Sequence, residues 1–169
     1  MTGMSKPLDP TVVVLAAGLS TRYGRLKQLE PLGPGGEALL DYAAFDAWRS
    51  GFSRVLLVIR PELEDDLRAH IQGRWPAGLD VSFHHQRLED LGGWGRPPSG
   101  LEEGGGAGPT EPGTRDLLAS RRKPWGTAHA LLTAREHLRG PFLVLNADDF
   151  YGASAFAQGA ALLAEAIRE

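Results

Sequence analysis

The chain has 169 residues, a formal net charge of −3, 42% hydrophobic residues and no cysteine. That length suits one domain with a proper core. The charge argues against a general nucleic-acid binder, and the missing cysteines exclude disulfides and thiolate metal sites, as a reducing compartment allows.

No apolar run approaches the roughly 20 residues that a membrane helix needs, and the first ten residues lack the apolar core of a signal peptide. A cytoplasmic protein without membrane or nucleic-acid partners is therefore expected, with a homo-oligomer as an option.

In chain order, the apolar, β-branched run over 11–17 predicts a strand buried on both faces. A turn at Pro34-Gly35-Gly36 precedes a helix whose apolar stripe is Ala38, Leu39, Leu40, Ala43, Ala44, Ala47 and Trp48, ended by Gly51. Residues 54–59 predict a second buried strand. Pro61 then starts a helix with an acidic first turn of Glu62, Glu64, Asp65 and Asp66, favourable for the helix dipole.

A shorter strand is expected near 79–85. Adjacent residues of a strand point to opposite faces, so His84 and His85 do not read as a metal pair. Residues 91–114 are dense in glycine and proline and read as a flexible surface insertion, either a spacer or a lid. Arg121-Arg122-Lys123 is either a solvated charge run or a steering patch for an anion. A helix over 126–138, a strand over 142–147 and a helix over 153–168 complete the pattern. Such alternation predicts one domain over 1–169, a Rossmann-like three-layer α/β/α fold with a mainly parallel sheet in the order 3-2-1-4.

The first strand runs straight into Gly18-Leu19-Ser20-Thr21-Arg22-Tyr23-Gly24-Arg25-Leu26-Lys27. In open parallel sheets ligands bind at the strands' carboxyl ends, where backbone N–H groups are free to meet an anion. Gly18 and Gly24 allow positive-φ turns and close backbone approach. Ser20 and Thr21 add hydroxyl donors, Arg22 a planar fork for phosphate oxygens, and Lys27 a mobile point charge. Any strand–loop–helix junction can carry such residues, but this set suits a polyphosphate. The glycine spacing excludes both the Walker loop and the dinucleotide fingerprint, which leaves a Rossmann-type oxidoreductase without an account of Arg22 and Lys27.

Two distant segments add further candidates. Lys123-Pro124-Trp125-Gly126-Thr127-Ala128 opens a helix, and by itself it also reads as a helix start with Thr127 as N-cap. The strand over 142–147 ends in Asp148-Asp149, carboxylates that a neighbouring parallel strand would bring to the same crevice as the glycine loop.

Leu15-Ala16-Ala17-Gly18 followed by Thr21-Arg22 and Lys27 resembles the loop of the nucleotidyltransferases that activate sugar phosphates, the MobA-like NTP transferase superfamily. Its compact Arg-Tyr-Gly-x-x-Lys form is closer to the short-loop branches, among them cytidylyl- and molybdopterin nucleotidyltransferases. The resemblance implies that Gly126, Thr127 and Ala128 pack against the base, and that Gln86 reads the base edge. It also implies that Asp148 holds Mg²⁺, with Asp149 as second ligand or water-holder. Hard oxygen ligands with retained waters suit that ion.

The implied reaction is attack by a phosphate oxygen of an acceptor, a sugar 1-phosphate above all, on the α-phosphorus of a nucleoside triphosphate. Pyrophosphate leaves, and an NDP-sugar forms. The nucleophile is already an anion, so alignment and charge neutralisation carry the catalysis. Ala16, Ala17, Gly18, Ser20 and Thr21 would bind the nucleotide, with the backbone over 18–21 and Arg22 on the β and γ phosphates, and Lys27 would bridge the α-phosphate and the acceptor. Members of the family are longer, so the chain is expected to be the nucleotide-binding portion without the acceptor-binding one. A non-catalytic nucleotide-binding module or half-enzyme is the rival reading.

Overall fold

The computed structural model describes residues 10–18, 27–87 and 126–167. Four parallel strands form its sheet: β1 (Thr11–Leu15), β2 (Arg54–Ile59), β3 (Asp80–His85) and β4 (Phe142–Asn146), in the spatial order β3-β2-β1-β4. The order expected from the alternation is therefore the observed one. Register runs straight across the sheet, with Leu15 beside Val58 on one side and Asn146 on the other.

The helices are α1 (Leu39–Arg49), α2 (Glu64–Ile71), α3 (Thr127–Ala134) and α4 (Ala153–Ala166). Among the described residues, 3₁₀ turns accompany them at Lys27–Leu29, Pro61–Leu63 and Arg135–His137. The last splits the single helix expected over 126–138 into an α-helix and a 3₁₀ turn.

Val12, Val14, Val55, Leu57 and Ile59 point to one face of the sheet, where Leu40, Ala43 and Ala47 of α1, Leu67 of α2 and Phe156 of α4 meet them in one buried cluster. Val13, Leu56 and Val58 point to the other face and pack against Ala130 and Ala134 of α3. Period-2 alternation within continuously apolar strands thus feeds two cores, which is why β1 and β2 have no polar side.

Gly159 lets α4 lie close over β4, since a Cβ there would stand 3.1 Å from Leu143 Cδ2. Ala38 is the N-cap residue of α1, and its N–H donates to the Asp41 carboxylate at 2.9 Å, half of a capping box. Gly51, at φ 91°, follows its end as expected.

Candidate functional site

The ladder hydrogen bonds continue past the strands and fix what leaves the sheet together. Ala16 N donates to Val58 O at 2.8 Å and Ala147 N to Leu15 O at 3.1 Å. Ala16, Ala17 and Gly18 therefore emerge beside Ala147, Asp148 and Asp149 at the carboxyl end of neighbouring strands. Ala16 and Ala17 are buried, whereas Gly18 is exposed, and a Cβ on Gly18 would meet nothing within 4 Å. Gly18 is not among the glycines with positive φ. What glycine supplies there is open space over the backbone rather than a left-handed turn.

Leu19, Ser20, Thr21, Arg22 and Gly24 lie outside the described residues, as do the insertion over 91–114 and Arg121-Arg122-Lys123. Lys27 heads the first 3₁₀ turn. The residue after it, Gln28, is buried at 8% exposure. Its Nε2 donates to Ala16 O at 3.2 Å and Gly18 O at 3.5 Å, holding the start of the glycine loop from beneath. Its Oε1 is buried and has no hydrogen-bond partner among the described residues. Nothing in the sequence singled out Gln28; the one signal available was a glutamine between Lys27 and Leu29 on the same short turn.

On the other side, Gln86 N extends the β2–β3 ladder by donating to Ile59 O at 2.7 Å. The Gln86 side chain, 7% exposed, donates from Nε2 to Gly126 O at 3.3 Å and contacts His129 Nδ1 at 2.8 Å. Gln86 and the start of α3 thus form one cluster across a separation of 40 residues. Gly126 rather than Thr127 is the N-cap residue of α3, and Thr127 makes no capping bond. At φ 105°, with nothing within 4 Å of where a Cβ would sit, Gly126 needs to be glycine for its conformation and leaves space above it. Gly126, Thr127 and Ala128 are exposed.

Asp148 and Asp149 are exposed at the end of β4. Asp149 Oδ2 accepts from Asn146 Nδ2 at 2.9 Å and from the Tyr151 hydroxyl at 3.3 Å, while Asn146 N donates to that hydroxyl at 3.0 Å. Asp149 is thereby held against its own strand. Among the described residues there is no group of three or more His, Asp or Glu side chains that could enclose a metal. Two adjacent carboxylates nevertheless match in kind what Mg²⁺ takes when it is shared with phosphates and waters. The two histidines of β3 diverge as the alternation requires: His85 Nε2 meets Glu64 Oε2 of α2 at 2.5 Å, and His84 packs on the His137 ring at a centroid distance of 5.1 Å.

Gly18, Gln86 with Gly126, and Asp148-Asp149 thus all lie at the carboxyl end of the sheet. Residues 12–92 match the family model of the MobA-like NTP transferase domain. No curated protein matches the chain. A UDP-glucose pyrophosphorylase complexed with UDP-glucose is similar in structure at 18% identity and TM-score 0.52, over 93% of this chain and 54% of its own.

HddC from Yersinia pseudotuberculosis, complexed with GMP-PN, is similar at 19% identity and TM-score 0.49, over 83% and 48%. Rv0371c from Mycobacterium tuberculosis is similar at 20% identity and TM-score 0.46, over 91% and 60%. The family match over residues 12–92 agrees with the loop resemblance, and the likeness to the pyrophosphorylase is one of fold. The chain spans 48% to 60% of the length of these three structures. No helix among the described residues is long and apolar enough to cross a membrane.

Proposed function

We propose that this chain binds a nucleoside triphosphate and transfers its nucleoside monophosphate to a phosphorylated acceptor, a sugar 1-phosphate above all, releasing pyrophosphate. The observation that carries this reading is the convergence of Ala16–Gly18, Gln86 with Gly126, and Asp148-Asp149 at the carboxyl end of the sheet. It occurs within a fold whose first half matches an NTP transferase domain.

In this reading the backbone over 18–21 and Arg22 neutralise the β and γ phosphates, which become the leaving group. Lys27 draws the α-phosphate and the acceptor phosphate together, countering the repulsion between two anions. Gly126, Thr127 and Ala128 seat the base. Asp148, with Asp149 beside it, would hold Mg²⁺, which supplies charge neutralisation on the phosphates when bound. A cytoplasmic setting fits a reaction that draws on soluble nucleotides.

The second reading is a nucleotide-binding module without transfer activity.

A thermal-shift panel of ATP, GTP, CTP, UTP and dTTP, with and without Mg²⁺, on the wild type and Asp148→Ala tests the binding half. A ligand at about 100 times its Kd stabilises by about 2.7 kcal/mol, on the order of 5–10 °C for a chain of this size. One triphosphate shifting the wild type in the presence of Mg²⁺, and not the variant, is expected. Pyrophosphate release with sugar 1-phosphates, reduced on the order of 10²-fold by Lys27→Ala, identifies transfer. Binding without release under any acceptor establishes the second reading, and no shift with any triphosphate refutes both.

A further inference from the structure

The amide of Gln86 is fixed in polarity by its two partners. A backbone carbonyl only accepts, so the group facing Gly126 O at 3.3 Å has to be the amide nitrogen, which settles which end of the glutamine is which. The second hydrogen of that nitrogen lies towards His129 Nδ1 at 2.8 Å. Nδ1 is then the acceptor, and in the neutral ring the proton sits on Nε2. Both side-chain hydrogen bonds of Gln86 among the described residues use Nε2. The group left to offer a ligand is Oε1, an acceptor.

We infer that His129 is a positioning residue which, together with the Gly126 carbonyl, locks the Gln86 amide so that the site presents a hydrogen-bond acceptor to the base. The inference rests on the nucleotide-binding reading above and adds to it a direction of selectivity. An acceptor at the base edge pairs with a ring N–H and is opposed by a ring lone pair. Uracil, thymine and guanine carry such an N–H, whereas cytosine and adenine carry a lone pair at the corresponding ring position.

Without His129 the amide keeps one bond instead of two, and turning over exchanges that bond for one to the base. Both side chains are nearly buried, His129 at 9% exposure, so water does not readily stand in for the lost partner. The helix position carries the lock: His129 lies one turn from Gly126, so α3 delivers carbonyl and imidazole to the same amide.

Two measurements test this separately. Long-range ¹H–¹⁵N correlation spectra of the wild-type chain report the His129 tautomer without any nucleotide. An unprotonated Nδ1 and a protonated Nε2 are expected, and a protonated Nδ1 in the neutral ring overturns the lock. Binding of UTP, dTTP, GTP, CTP and ATP to the wild type, His129→Leu and His129→Asn then reads the ratio between the two groups of bases.

The wild type should favour the first group. His129→Leu should lower that preference about tenfold, the worth of one hydrogen bond, and His129→Asn, which keeps an acceptor near the Nδ1 position, should restore most of it. Weaker binding of all five by the same factor, or a wild type that favours CTP or ATP, overturns the positioning role. A wild type that binds none of them overturns the nucleotide reading and the selectivity with it, while the spectrum still judges the lock.

Discussion

Asp41 on α1 and the two glutamines at the carboxyl end of the sheet are all largely buried polar side chains, yet they are satisfied differently. The Asp41 carboxylate accepts from Ala38 N at 2.9 Å, Trp75 Nε1 at 2.8 Å and His70 Nε2 at 2.9 Å, with both oxygens engaged. Gln28 and Gln86 are engaged at nitrogen alone among the described residues, Gln28 gripping two backbone carbonyls and Gln86 one carbonyl and the His129 ring. Closed networks of the first kind tie helix to helix. Half-open ones mark the place where a fold keeps hydrogen-bonding capacity for something it does not itself contain.

Breaking the closed network should have the largest effect. Asp41→Ala removes the acceptor of three donors at once and leaves the Trp75 indole N–H and His70 partly buried without it. A loss of roughly 3 kcal/mol is expected, lowering Tm by about 10 °C in a thermal melt. Asp41→Asn, which retains one acceptor oxygen, should recover part of it. If both variants melt like the wild type, the network contributes nothing and the contrast with the glutamines has no energetic meaning.

Gln28→Leu sharpens the contrast from the other side. It releases the carbonyls of Ala16 and Gly18 but also removes a buried oxygen that has no partner among the described residues. The two changes offset each other, so the cost in stability should be about 1 kcal/mol or less. Nucleotide affinity should fall about tenfold, because the start of the glycine loop is no longer held in place. A melting shift as large as that of Asp41→Ala, with affinity unchanged, would make Gln28 a framework residue like Asp41.

The legible and the hidden parts of this molecule divide along the same line. Strand order followed from alternation of apolar strands and helices. That order alone puts the residues after β1 and β4 side by side, so Gly18 and Asp148 could be joined across 130 positions. The sequence alone suggested Thr127 as the cap of this helix, whereas the N-cap residue is Gly126, whose φ of 105° no local pattern announces.

Gln28 and the Gln86–His129 contact left no periodic trace. A glutamine on a short turn looks like any surface residue, and a contact spanning 43 positions exists only once α3 has crossed the sheet. The Asp41 network was equally hidden: Asp41 reads as an ordinary first-turn acid, and nothing local announces His70 or Trp75 as its partners.

The smallest effect is expected at a more exposed counterpart of the Asp41 network. Glu64, at the start of α2, accepts from Arg68 Nε at 2.7 Å and meets His85 Nε2 at 2.5 Å, while the Arg68 guanidinium lies 4.3 Å over the Phe83 ring. The Arg68 hydrogen bond first, and that from His85 second, hold the Glu64 carboxyl below its ordinary value of 4.5. A carboxylate whose folded-state pKa is depressed stabilises the fold above its unfolded pKa and loses that contribution as pH falls through the folded one. Stability should therefore carry a component that is constant from neutral pH down to about 4.5 and declines below it. Glu64→Gln should flatten that decline while hardly changing the melt at pH 7, because exposed ion pairs contribute little and are screened by salt. An undiminished acid slope in the variant would assign the decline to other carboxylates and leave Glu64 as a surface pair with no part in tying β3 to α2.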